Sequence, residues 1–113
     1  MRKWTWMSAK VIALLAGSTV MAHSPVTETN PDDGAVLTPS PEVIRIEFAD
    51  PIRLVGVSLS GADTDADLDV PAAAAARHEF GVPELSAGSY RVEWRGMAGD
   101  GHVMSGAFSF EVE

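Results

Sequence analysis

Cysteine is absent from all 113 residues. Small exported chains often depend on disulfides, so this one must be held by its core or by a bound group. The same absence removes thiolate metal sites and thiol redox chemistry together. Lysine is almost as scarce, with Lys3 and Lys10 the only two. Long apolar runs are missing as well. The segment VIALLA (11–16) is far shorter than the roughly 18 residues a membrane span requires. No stretch carries the apolar stripe of an amphipathic helix, and no internal repeat is visible.

What is present at the N-terminus reads as a secretory signal. Arg2, Lys3 and Lys10 form a positive region ahead of VIALLA, and Val20 and Ala22 place small residues just before His23. A cut after Ala22 makes residues 1–22 the signal peptide and residues 23–113 the mature domain, whose first residue is His23. The five remaining basic residues are all arginine and face sixteen acidic ones, a net charge of −11. Such a surface repels phosphate backbones and excludes nucleic acid as a partner. It attracts cations only diffusely, so any metal site needs specific ligands.

The mature chain predicts strands. In IRIEF (44–48) and SYRVEWR (89–95) apolar and charged residues alternate, placing Ile44, Ile46 and Phe48, then Tyr90, Val92 and Trp94, on buried faces. AFSFEVE (107–113) turns Phe108, Phe110 and Val112 inward, and LVGVSLS (54–60) groups Val55, Val57 and Leu59. Shorter strands are expected near 26–29, 67–70 and 78–82. NPDDG (30–34), PSP (39–41), Asp50-Pro51, Gly61 and Ala87-Gly88 punctuate these runs as turns. PAAAAARHEF (71–80) reads as a connecting loop. About seven short strands predict one small all-β domain, an Ig-like Greek-key sandwich or closed barrel.

Two stretches carry chemistry. In GDGHVMSG (99–106), Asp100 and His102 stand two apart, so in extended backbone their side chains share a side. At the proposed mature terminus, His23 offers both an amine and an imidazole to one ion. Together these supply three nitrogens and one oxygen, a set suited to tetragonal Cu(II) and lacking the soft sulfur that Cu(I) prefers. Pro25 has no amide hydrogen, which argues against a purely N-terminal peptide-type copper site, so the loop must complete it. Ligation requires a deprotonated amine and neutral imidazoles, so affinity should fall on acidification.

HSPVTETNPDDGAVLTPSPEVIRIEFADP (23–51) and LSAGSYRVEWRGMAGDGHVMSGAFSFEV (85–112) resemble the opening and close of the CopC family of periplasmic copper-binding proteins. The second stretch holds the family's Leu-x-x-Gly-x-Tyr-x-Val-x-Trp element and its Asp-Gly-His loop. The resemblance implies a Greek-key β-barrel or sandwich with one Cu(II) per chain. The implied ligands are the amine and ring of His23, the carboxylate of Asp100 and the ring of His102. It further implies periplasmic copper homeostasis, resistance or import, often beside a CopD-type inner-membrane transporter. Asp50 matches a family carboxylate and is a candidate axial or outer ligand, or simply a turn residue before Pro51. Val103 stands where the family often has proline. A methionine-rich Cu(I) loop is lacking, since the mature chain has only Met97 and Met104, which read as packing residues.

The remaining features have plainer readings. His78 is read as a surface or strand-edge histidine. The run DTDADLD (63–69) departs from the calcium-loop pattern at Leu68 and Ala74 and reads as a solvated acidic hairpin or loop. Trp94 is expected in the core, with an outer-shell role against an imidazole as the sharper option. Two other functions fit parts of the pattern. A copper-dependent oxidative enzyme can use a terminal histidine with a second histidine, but needs an open copper face and an aromatic-rich substrate surface. A metal-free sandwich acting through its edges would be indifferent to His23 and His102.

Overall fold

A computed structural model describes residues 25–62 and 64–113. His23 and residues 1–22, to which the leader and the terminal-ligand expectations belong, lie outside the described residues. Seven strands and no helix are present among those described: β1 (Val26–Asn30), β2 (Ala35–Leu37), β3 (Val43–Gly61), β4 (Thr64–Leu68), β5 (Ala75–Gly81), β6 (Gly88–Met97) and β7 (Val103–Val112). The all-β domain expected from the alternation is therefore what forms.

The long strand β3 organises the molecule because it serves two sheets. Its first half lies between β1 and β5, both antiparallel to it. Its second half lies between β4 and β6, and the sheet continues through β7 to a short parallel β2. Asp50-Pro51 was expected to end a strand, yet both residues lie within β3. The pairing with β5 is interrupted between Glu47 and Ile52, so the chain changes sheets there instead of turning back. A proline is tolerated at such an interruption because no ladder hydrogen bond is required of it.

The two inner faces meet across Phe48 and Trp94, whose rings cross edge-on at 5.0 Å. Ile44, Ile46, Val92 and Leu59 are fully buried between the layers. Tyr90 stacks on Phe110 at 5.6 Å, and its hydroxyl donates to the Ser86 carbonyl at 2.6 Å. That bond lets a buried phenol keep a partner.

Three expectations are corrected. Val55 is 46% exposed, whereas Ile52 and Leu54 are buried. A bulge between Leu54 and Gly56 inserts one residue and flips the alternation, so Val57 and Leu59 face inward but Val55 does not. The run 71–80 is a loop only in its first part, since β5 begins at Ala75. His78 is 2% exposed and is not a surface residue. It shares the inward face of β5 with buried Phe80, the side that period-two spacing assigns to both. The 63–69 run does behave as a solvated acidic hairpin over its described part, with Asp65 and Asp67 exposed on β4.

Candidate metal centre

The loop between β6 and β7 is short and closed on itself. Met97 and Val103 pair across its base. Inside, the Ala98 amide donates to the His102 carbonyl, and the Gly101 amide to the Ala98 carbonyl, each at 2.9 Å. Gly101 sits at φ 91°, a left-handed conformation that glycine adopts without a Cβ penalty. These constraints leave Asp100 and His102 on an exposed, ordered tip.

Asp100 and His102 do come together, but not through extended backbone. The Asp100 carboxylate folds over the turn and accepts the His102 amide through Oδ1 at 3.0 Å. Its Oδ2 lies 2.8 Å from the His102 ring Nδ1. This is the local side-chain-to-backbone turn that aspartate favours two residues ahead of an amide. The His102 amide, chiefly, and its ring hold the Asp100 carboxyl below the usual carboxylate range. Both side chains are largely solvent-exposed.

The spacing suits a metal. Two donors in adjacent positions about an ion, each at about 2.0 Å, stand about 2.8 Å apart. The Nδ1–Oδ2 separation is 2.8 Å, so both donors can reach one ion once the shared proton is lost and the ring and carboxylate turn toward it. Alternatively the carboxylate holds the ring by Nδ1 and presents Nε2, the common outer-shell arrangement around ligating histidines. The first arrangement supplies two donors, the second a single oriented imidazole nitrogen. Among the described residues no group of three or more potential ligands is assembled.

The chain's first described residue is tied to the same end of the domain. The Ala49 amide donates to the Pro25 carbonyl at 2.8 Å. Asp50, next along β3, lines an open cleft of about 520 Å³ with Arg53, Met97, Gly99 and Gly101. Thus Pro25, two residues after His23, lies beside the strand whose next residue shares a cleft with the loop glycines. Asp50 is exposed and lines that cleft. Trp94 is core, 3% exposed, and packs on Phe48.

His78 is not brought to this site. Its Nε2 lies 2.8 Å from the Ile52 carbonyl, and because a carbonyl only accepts, Nε2 carries the proton. Its Nδ1 is buried without a partner. The ring also meets Phe48 edge-on at 6.0 Å. His78 thereby satisfies a carbonyl that β3 frees where its ladder with β5 is interrupted, a structural task.

The structure is a small all-β domain with an exposed Asp–His hairpin tip, and comparison with known proteins shows its family. The CopC domain model matches residues 26–113. Copper resistance protein C of Xanthomonas campestris pv. juglandis is 31% identical over 118 residues, spanning 91% of this chain and 90% of that protein. Copper transport protein CutJ of Bacillus subtilis (strain 168) is 25% identical over 97% of this chain, but the match covers only 21% of CutJ. Among solved structures, CopC from Methylosinus trichosporium OB3b superposes with a TM-score of 0.69 at 23% identity, covering 80% of this chain and 94% of that one. PcoC, a methionine-rich copper resistance protein from Escherichia coli, superposes at 0.59 with 23% identity, over 81% and 100% respectively. The chain belongs to the CopC family. That membership makes it a copper resistance or transport protein, a binding protein and not an enzyme. CopC proteins are periplasmic, and among the described residues no helix is long and apolar enough to cross a membrane.

Proposed function

We propose that the mature protein begins at His23 and binds one Cu(II) in the periplasm through four donors. These are the amine and ring of His23, the Asp100 carboxylate and the His102 ring, with Asp50 as an axial or outer group. The observation that carries this reading is the Asp100–His102 pair, held at a donor spacing of 2.8 Å on an exposed tip. The link from Pro25 through Ala49 to the Asp50 cleft supports the terminal histidine as the missing half. The donor set is all nitrogen and oxygen, which favours Cu(II) over Cu(I).

In this reading the protein carries or sequesters copper and passes it to an acceptor, for which a CopD-type inner-membrane transporter is the proposed partner. The match to one segment of the longer copper transport protein CutJ supports a working association with further polypeptide. The test is a Cu(II) titration followed by EPR of the mature protein beside Asp100→Ala and His102→Ala. One equivalent of tetragonal Cu(II) with nitrogen hyperfine structure, weakened in both variants, is expected. Binding that is unaffected by either substitution contradicts the site.

A further inference from the structure

The two methionines of the mature chain are disposed in different ways. Met104 is partly buried against the core cluster. Met97, at the end of β6, lines the cleft shared by Asp50, Arg53, Gly99 and Gly101, and is the only sulfur-bearing residue lining it. Its Sδ accepts a hydrogen bond from the Arg53 Nη2 at 3.7 Å. Arg53 and Met97 are direct partners in the β3–β6 ladder, so the register fixes this contact.

The choice made by Arg53 is unusual within this chain. Arg45, Arg77 and Arg91 each engage a glutamate. Arg53 instead places its guanidinium on a thioether, although Asp50 lines the same cleft. A thioether is the kind of soft donor that selects Cu(I). A guanidinium hydrogen-bonded to it occupies a sulfur lone pair and competes with any soft cation for the thioether. Arginine stays protonated throughout the working pH range, so this competition does not depend on pH.

We infer that Arg53 is a specificity-determining residue: it holds Met97 out of reach of cuprous ion and keeps the neighbouring loop a Cu(II) site. The inference rests on the copper reading above and adds the residue that enforces its oxidation-state preference. The experiment compares wild type, Arg53→Ala, Arg53→Gln and the double variant Arg53→Ala/Met97→Ala. Arg53 is exposed, so folding is not at stake. Cu(I) affinity is read anaerobically by competition with bicinchoninate. Both single variants should gain about tenfold or more, the size set by releasing a hydrogen bond to a charged donor, and the double variant should return to wild type. Ag(I), a diamagnetic soft ion of the same charge, should shift the Met97 methyl resonance in Arg53→Ala and not in wild type. No gain in either variant, a gain that survives removal of Met97, or an Ag(I) shift at Met97 in wild type overturns the inference. Cu(II) titration of the same wild-type sample, read by EPR, tests the parent site separately.

Discussion

The indole of Trp94 occupies the space in which a side chain at position 106 would stand. The two residues face each other across β6 and β7, and a Cβ built on Gly106 would lie 2.8 Å from the indole Nε1. The ring that joins the two sheets through Phe48 therefore depends on a bare backbone opposite it. Gly106→Ala should destabilise the fold by about 1–3 kcal/mol through overpacking. Trp94 is the only tryptophan after residue 22, so in protein starting at His23 its fluorescence reports the urea transition directly. An unchanged midpoint would mean that the contact is not maintained in solution.

The bulge in β3 makes neighbouring residues unequal. Leu54 is 2% exposed and Val55 46% exposed. Leu54→Ala should cost about 2–5 kcal/mol, as buried leucines do. Val55→Ser should stay within about 0.5 kcal/mol, as at other surface positions. The reverse order in urea unfolding would restore the uninterrupted alternation and remove the bulge.

That bulge also marks where sequence reasoning stops. The alternations in 44–48, 89–95 and 107–113 were legible because no residue is inserted within those stretches themselves, and Ile44, Tyr90 and Phe108 are all buried as their parity requires. LVGVSLS misled because an inserted residue inverts parity and leaves no mark in composition. Asp50-Pro51 misled because the local turn signature also suits a strand that changes sheets. The pairing of Asp100 with His102 was legible from spacing, although the turn that produces it was not. His78 was legible in principle, being two residues from Phe80, but the alanine run before it concealed the start of β5. The short β2, parallel to β7, gave no periodic signal in three residues.

His78 should behave as a structural residue. His78→Ala removes the donor to the buried Ile52 carbonyl and leaves a cavity beside Phe48. A loss of about 2–4 kcal/mol is expected from those two effects. Cu(II) stoichiometry and the EPR spectrum of the folded fraction should not change. A changed spectrum would place His78 in the metal site.

The lowered Asp100 carboxyl has a definite pH consequence. Its stabilising contribution is fully present above the ordinary carboxylate range and is lost only as pH falls through the depressed value. Between pH 7 and 5 Asp100 therefore stays ionised, so the proposed site keeps its carboxylate donor over that interval. A carbon-detected NMR titration should give Asp100 a midpoint below that of free aspartate. His102→Ala should retain most of the depression, because the backbone amide is its largest cause, whereas His102→Pro should abolish it. Equal midpoints in the two variants would contradict that ordering.

In the proposed site a free His23 amine completes the Asp100–His102 pair. Its most direct test compares mature protein starting at His23, confirmed by mass, with a form carrying one extra N-terminal residue. Each is titrated with Cu(II) and examined by EPR. The proposed site predicts one tightly bound, nitrogen-rich tetragonal Cu(II) in the first form and loss of that species in the second. Equal binding and equal spectra in both forms would contradict it.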